Sequence, residues 1–379
     1  MDGKTSFALI TIFERVTDPR LNRTKKHRLI DILVLAVCGA IAGCDSWVDI
    51  AAFAQTRIDW FRQFLKLRNG IPSHDTFARV FSLLDTSEFA ACLCDWLQRL
   101  HVVSKGEIIA IDGKTLRGSV HRATAKSALH LVSAWATKQR ISLGQVATTA
   151  KSNEITAIPK LLEMLAIKGA IVTIDAMGCQ KEIAAQIIDK KGDYVLALKD
   201  NHPKLHAAVE KIFNEAIENP QSPKGLRCHK EVRKCRTRIE TREYYLLPAP
   251  ADLPGKRDWA KLLSIGMVIR YWTLPDGTEK SETRYYLVSV EKVRQFAAAA
   301  RGHWKIENTL HWTLDVTFSE DKSRIRKGTA PEITAQLRRV VLSLLKQDTS
   351  TKDSLRVKRK IAGWDPNTLI RILAGFSRN

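Results

Sequence analysis

Two aspartates close short apolar runs in this chain, Ile108-Ile-Ala-Ile-Asp112 and Ile171-Val-Thr-Ile-Asp175. A single acid at such a place commonly caps a helix or forms a turn, and that reading applies to either residue alone. Two acids at equivalent ends of neighbouring strands would instead meet at one edge of a sheet, where open α/β sheets put their sites. Carboxylates so placed repel one another unless a cation lies between them. Mg²⁺ or Mn²⁺, hard ions that prefer oxygen, suits that donor set. Two such ions serve phosphoryl transfer, activating the attacking oxygen and stabilising the leaving one. A third carboxylate normally completes the site. The candidate is Glu307, within Arg301-Gly-His303-Trp304-Lys305-Ile-Glu307-Asn308-Thr-Leu-His311-Trp312. Helical spacing puts His303, Glu307 and His311 on one face, with Trp304 and Trp312 beside it. Zinc on that face is disfavoured, because positions i, i+4 and i+8 extend about 12 Å along the axis, too far for one tetrahedral ion. Glu307 as a cap or ion-pair partner, and the tryptophans as core, stay open at this point.

The elements that must carry these residues are legible from periodicity. Residues 1 to about 100 read as helical: Leu29–Gly43 is nearly all apolar, and Trp47–Leu67 repeats apolar residues at helical spacing. Ser73 can cap a helix over Phe77–Leu84, and Ser87 one over Phe89–Leu100. Ahead of them stands Arg20-Leu-Asn-Arg23-Thr-Lys25-Lys26-His27-Arg28, basic and without an acid. It suits DNA binding and equally suits a solvated charge run. After Gly106 the pattern changes to β-rich runs at Glu107–Asp112, Leu129–Thr137 and Arg140–Thr149. Helix Glu154–Leu165, strand Ala170–Asp175, helix Gln180–Lys190 and strand Asp193–Leu198 then alternate. Three strands followed by alternating helix and strand is the order of an RNase H-like α/β core.

A helix near Pro203–Ile217 leads into a stretch of different character, about 220 to 290. A basic run from Lys224 to Arg242 precedes three predicted strands, Ile239–Leu247, Leu263–Leu274 and Lys280–Val290, the last two joined by the turn Pro275-Asp276-Gly277-Thr278. This reads as a β-rich insertion in the core, which resumes with long helices at Val293–Leu314 and Pro331–Lys346. The fold class is therefore α/β: an RNase H-like mixed sheet over 104–346 with its insertion, an all-α N-terminal domain over 1–103, and a basic tail over 347–379.

The chain carries 61 Lys+Arg against 40 Asp+Glu, a formal charge of +21. So large a surplus favours a polyanionic partner, because each phosphate contact releases condensed counterions; ribosome or acidic-membrane binding would give the same signal. The seven cysteines are odd in number and never form a paired C-x-x-C, which points to reduced, mostly buried thiols in a cytoplasmic protein. The N-terminus lacks a signal peptide's basic-then-apolar pattern, and the apolar run Ile32–Gly43 is too short to span a bilayer. No P-loop, G-x-G-x-x-G or G-x-S-x-G stands in a supporting context, so NTPase, dinucleotide and serine-hydrolase chemistry lack a foundation.

Longer strings carry a resemblance. They include Asp18-Pro19-Arg20, Gly70-Ile-Pro-Ser-His74-Asp75-Thr76-Phe77, Ala110-Ile-Asp112-Gly-Lys114-Thr-Leu-Arg117 and Lys151-Ser-Asn153-Glu154-Ile-Thr-Ala-Ile-Pro159. Thr173-Ile-Asp175-Ala-Met-Gly-Cys179-Gln180, Gly192-Asp193-Tyr194-Val-Leu-Ala-Leu-Lys199 and His303 to Val316 complete the set. Nearly end to end, the chain resembles the DDE transposases of bacterial insertion sequences, specifically the H-repeat-associated family. The resemblance implies that Asp112, Asp175 and Glu307 are the catalytic triad and hold two Mg²⁺ (or Mn²⁺) ions. It implies metal-dependent cleavage at the ends of the element and strand transfer of the freed ends into a target. Double-stranded DNA is then the partner, both element ends and target, with a homodimer assembled on it in the bacterial cytoplasm and no role for a membrane. Lys114, Arg117, Lys151, Lys199, Arg238, His303, Lys305, Arg324 and Arg326 are the residues expected at phosphates. Two positions depart from the family pattern: Arg236-Thr237-Arg238 stands where relatives carry His-Gly-Arg, and His202 where they carry Gln. The alternative reading is an inactivated or domesticated descendant that acts as a DNA nuclease or DNA-binding protein.

Overall fold

A computed structural model of the chain describes residues 10–100, 105–120, 127–148, 154–218, 225–235, 238–274 and 276–374. The N-terminal helices follow from their sequence. Helix α1 (Leu29–Ile41) is apolar on every side and accordingly buried on every side, the central rod of its module. Helix α2 (Trp47–Thr56) starts on a capping box, the Ser46 side chain accepting from the Asp49 amide while the Asp49 carboxylate accepts from the Ser46 amide. A Cβ on Gly39 would lie 2.9 Å from Ile50 Cγ1, so α1 and α2 approach at a distance only glycine permits. The helix expected over Trp47–Leu67 breaks at Arg57 into α2 and the short α3 (Ile58–Phe61). Ser73 caps α4 (His74–Phe81) as expected. Ser87 does not cap the next helix: α5 (Thr86–Leu100) begins earlier, and the Asp85 carboxylate accepts from the Glu88 amide at 2.7 Å.

The core is a mixed sheet. Strands β1 (Ile108–Leu116), β2 (Leu129–Ala136) and β3 (Ile141–Thr148) form an antiparallel meander. Helices α6 (Glu154–Met164) and α7 (Lys181–Asp189) are the crossovers that return β4 (Ile171–Ile174) parallel to β1, and β5 (Asp193–Leu198) parallel to β4. The order β3-β2-β1-β4-β5 is RNase H-like, as the element order predicts. Helix α8 (Pro203–Glu218) then leads to the insertion.

The insertion differs from expectation in one respect. It has four strands, β6 (Arg227–Cys235), β7 (Arg238–Pro248), β8 (Ser264–Thr273) and β9 (Glu279–Val288), and they extend the core sheet to nine strands through an antiparallel β5–β9 pair. Strand β6 is the part of the basic run that shows no apolar alternation. It is the edge of the sheet, where charged side chains are tolerated and block further pairing.

Helix α9 (Val293–Ile306) crosses β1 and β4; a Cβ on its Gly302 would lie 2.9 Å from Ile108 Cγ2. It runs into a π-helical turn, Glu307–His311, and then α10 (Trp312–Thr317). Helix α11 (Ala330–Gln347) backs the meander and packs on α1 and α5. The segment expected as a basic tail is ordered structure, α12 (Leu355–Trp364) and α13 (Pro366–Ala374). Its densest positive point is buried: Arg359 donates to Ala40 O in α1 at 3.1 Å, to Asp45 at 2.7 Å and to Thr317 O in α10. Backbone carbonyls and a carboxylate thus absorb one charge of the basic tail. Among the described residues six cysteines are free, and no helix is long and apolar enough to cross a membrane.

Candidate active site

The parallel register of β1 and β4 pairs Ile111 with Ile174, so Asp112 and Asp175 are the next residues on adjacent strands, about 4.8 Å apart in backbone spacing. The two places differ. Strand β4 stops, and Asp175 caps a 3₁₀ turn with its carboxylate 3.4 Å from the Gly178 amide, so it forms a turn and faces Asp112 at once. Strand β1 was expected to end at Asp112, yet it continues to Leu116 because β2 pairs with it throughout, Ser133 opposite Asp112.

The Asp112 carboxylate accepts from the Gly113 amide at 2.9 Å. Burial and then the neighbouring Asp175, with Glu154 and Glu307 adding to it, push Asp112 up to about 7. Negative charge is thus concentrated here without a matching cation. The donor set is all oxygen, which fits a hard divalent ion. Among the described residues no three His, Cys, Asp or Glu side chains are gathered closely enough to ligate one ion, and of the charges that raise Asp112 the third carboxylate is the weakest. That carboxylate, Glu307, is exposed, and no hydrogen bond or ion pair holds it among the described residues.

Glu307 opens the π turn. Such turns are rare and concentrate at functional sites, because the widened ring leaves carbonyls under-bonded. Here side chains make up the deficit: Asn308 Nδ2 donates to Trp304 O at 3.3 Å, Thr309 Oγ1 to Lys305 O, and Thr313 Oγ1 to Thr309 O at 3.0 Å. Lys346, reaching from α11, donates to the same Thr309 O at 2.6 Å. The turn changes the regular spacing on which a shared face for His303, Glu307 and His311 rests. His303 Nδ1 lies 3.2 Å from Thr173 Oγ1 of β4, and burial lowers its proton affinity. His311 is buried on the β1 side, its Nε2 3.9 Å from Asp112 Oδ2; burial, together with the Arg339 and Lys114 charges, drives it down to about 3. Both imidazoles are neutral at pH 7, and they flank Glu307.

The expected phosphate contacts divide. Lys114 is not one of them: it is buried, and its ammonium pairs with Asp315, with Glu320 at 3.2 Å and with Asp321 at 3.9 Å. Glu320, itself buried, also accepts from Arg339 at 2.9 Å. Two carboxylates accept from the lysine and a third lies 3.9 Å away, so its ammonium is engaged in the interior. Arg326 donates to Gly118 O at 2.9 Å, a tie between loops. His303 is committed to Thr173, although it lines a cleft of about 120 Å³ with Asp175, Lys199, Arg284 and Trp304. Lys199, Lys305, Arg117 and Arg324 are exposed, Arg117 lying 3.9 Å from Asp321. Lys151 lies outside the described residues, as do Arg236 and Thr237 and the side chain of Arg238.

Sequence reasoning missed a second layer. Glu154, first residue of α6, is buried with its carboxylate 2.6 Å from His130 Nε2, and His130 Nδ1 is 2.9 Å from Thr115 Oγ1. A Cβ on Gly113 would overlap both Glu154 and His130, so the glycine after Asp112 is what allows this pair to sit against β1. Glu154 is within a quoted string, but nothing in its spacing ties it to His130.

The fold and this geometry can now be set beside known proteins. The family described as DDE_Tnp_1-associated matches residues 10–97, and the Transposase DDE domain family matches residues 103–344. The chain is 40% identical over 374 residues to "Putative transposase YncI" of Escherichia coli O157:H7, covering 98% of this chain and 95% of that one. It is 38% identical over 366 residues to "H repeat-associated putative transposase YhhI" of Escherichia coli strain K12, covering 95% and 96%. A looser likeness, with a TM-score of 0.44 and 11% identity over 98% of this chain and 77% of the other, is to a piggyBac transposase synaptic complex with hairpin DNA. With both families spanning the helical module and the mixed sheet, and full-length relatives at this identity, the chain belongs to the DDE transposases, among the H-repeat-associated proteins.

Proposed function

We propose that this protein cuts DNA at the ends of a mobile element and joins the freed ends to a target, using Asp112, Asp175 and Glu307. The observation that carries the reading is the pairing of Asp112 with Asp175 at adjacent strand ends, where burial first and the neighbouring carboxylates after it raise Asp112 to about 7. Asp112 and Asp175, with Glu307 closing from the π turn, would hold two Mg²⁺ or Mn²⁺ ions. When bound, the ions supply Lewis acidity and offset the charge that develops on phosphorus. The protein's own groups do the rest. Water attacks the phosphodiester, the P–O bond to the leaving strand breaks, and that 3′-oxygen departs as a hydroxyl once protonated. The same hydroxyl then attacks a target phosphodiester, exchanging one P–O bond for another. Neutral His303 and His311 exclude water behind the carboxylates without adding positive charge. Lys199, Lys305, Arg117 and Arg324 are exposed to receive phosphates, and Lys151 and Arg238 belong to the same proposal. The helical module over 1–103 would bind DNA, the sheet domain over 104–346 would cut it, and two copies would pair the two ends in the bacterial cytoplasm.

The test is cleavage of a labelled duplex carrying an element end and its flank, with Mg²⁺, with Mn²⁺ and with EDTA. Metal-dependent cutting at the boundary, absent from Asp112→Ala, Asp175→Ala and Glu307→Ala while DNA binding persists, is the expected result. Cutting that survives all three substitutions overturns the assignment. Binding without cutting by the unaltered protein would mark an inactivated or repurposed descendant.

A further inference from the structure

A concavity of about 590 Å³ lies in the helical module, away from the carboxylates. Two stretches far apart in sequence form its rim. One is the segment entering α1, with Lys25, Lys26 and Arg28; the other is the loop after α3, with Lys66 and Arg68. All five are exposed. Lys26, Lys66 and Arg68 have no ion pair among the described residues, while Lys25 lies 3.8 Å from Asp18 and Arg28 3.8 Å from Asp31.

The cleft is built, not incidental. Leu67 is 4% exposed and takes φ 32, so its side chain anchors the loop while its neighbours Lys66 and Arg68 stand outward. Asn69 Nδ2, from the loop after α3, donates to Lys26 O. That bond ties one basic segment to the other, with the buried Asp31 of α1 beneath them. The acids on the rim do not neutralise it: Asp31 is underneath, Asp18 is held by Arg20 at 2.8 Å, and only Glu14 is exposed. Across the cleft no exposed aromatic ring stands ready to stack on a base, since Phe13 is buried. Single strands are usually held by such rings, duplex backbones by cations alone.

We infer that this cleft, formed by Lys25, Lys26 and Arg28 with Lys66 and Arg68, seats the phosphate backbone of double-helical DNA. The inference rests on the proposed action on DNA and adds where the duplex is gripped apart from the carboxylates. Its contribution is independent of base sequence, because ammonium and guanidinium groups on phosphates position a duplex without reading it.

The test is equilibrium binding of a 40-base-pair duplex of arbitrary sequence, and of one of its single strands, in EDTA across a salt series. Lys26→Gln, Lys66→Gln and Arg68→Gln combined remove three phosphate contacts. The log–log salt slope should flatten by about 2.7 and duplex affinity at 0.15 M salt should fall on the order of 100-fold. Lys160→Gln, Lys168→Gln and Lys204→Gln combined, all exposed and outside the cleft, remove the same charge and should leave binding within about 3-fold. Circular dichroism and unfolding midpoints establish that both variants fold; a cleft variant that does not fold is replaced by the single Arg68→Gln, with an expected slope change of about 0.9. Unchanged duplex binding by the cleft variant overturns the inference, as does an equal loss in the control variant. A loss confined to the single strand overturns the duplex assignment. Because EDTA blocks cutting, failure here leaves the triad reading intact, and failure to cut with metal leaves this one intact.

Discussion

The buried ion cluster behind the carboxylates gives the sharpest prediction. Lys114 stands two residues beyond Asp112 on β1, its side chain 9% exposed, and Glu320 beside it is 0% exposed. Replacing Lys114 with methionine keeps most of the volume and removes the charge. Breaking a buried pair from one side costs about 3–5 kcal/mol, because the remaining ion keeps its desolvation penalty without its partner. Glu320 retains Arg339 at 2.9 Å, so Lys114→Met belongs at the low end, about 3 kcal/mol. Glu320→Gln leaves the buried Arg339 without its carboxylate while Lys114 keeps Asp315, and belongs higher in that range, about 4 kcal/mol. The double variant should be less destabilised than the sum by more than about 1 kcal/mol. The pH course has a fixed sign. Burial alone would raise the Glu320 carboxyl, but Arg339 and Lys114 outweigh it and hold the group below its ordinary 4.5. A depressed carboxyl contributes fully above the unfolded value and is lost as pH falls through the folded one. The unaltered protein should therefore lose stability below about pH 4.5 more steeply than Glu320→Gln. Urea unfolding at pH 7 and in steps down to pH 3, followed by tryptophan fluorescence, measures all of this. A Lys114→Met protein within 0.5 kcal/mol of the unaltered one, or a strictly additive double variant, would refute the reasoning.

Three further outcomes are expected. Gly113→Ala drives a methyl into the Glu154–His130 pair, so it should cost about 1–3 kcal/mol and, by shifting Asp112, reduce cleavage about 100-fold while duplex binding in EDTA is kept. Lys346→Met removes one of the two side-chain donors to Thr309 O and should loosen the π turn, seen as faster amide exchange over residues 307–313 than over α9. Arg359→Met removes the side-chain donor to Ala40 O and Thr317 O and leaves Asp45 without its partner; a loss of about 3 kcal/mol in unfolding free energy is expected, whereas an effect under 0.5 kcal/mol would mean the tie is decorative.

How far the sequence spoke for itself depended on whether the deciding contact was local. Asp112 beside Asp175 was legible because each ends an apolar run whose length and β-branching announce a strand, and the order of elements puts those strands together. The core sheet was legible for the same reason. Strand β6 was not, since an edge strand need not bury a face and its residues alternate charge with charge. The π turn was hidden because its residues keep helical composition and one of its carbonyls is served by Lys346, 37 positions away. The burial of Lys114 was hidden because its partner Glu320 is 206 positions away. A lysine after an Asp-Gly pair looks like a phosphate ligand until that carboxylate is placed beside it.

The tie made by Arg359 also bears on the order in which the molecule can be made. Its guanidinium joins Ala40, 319 positions earlier, to Thr317, which follows the π turn of Glu307. Chain emerges from the ribosome at about 5–20 residues per second, so α1 waits tens of seconds for the residue that fastens it to the far side of the site. Until position 359 is clear of the exit tunnel, the helix carrying Glu307 has no such fastening, whatever the strands have already done. A message truncated, frameshifted or cleaved before that point yields a chain with all three acids and no lock on the third. For the DNA cutting proposed above, late completion would be a safeguard: copies cut short would lack the tie that joins α1 to the segment after Glu307.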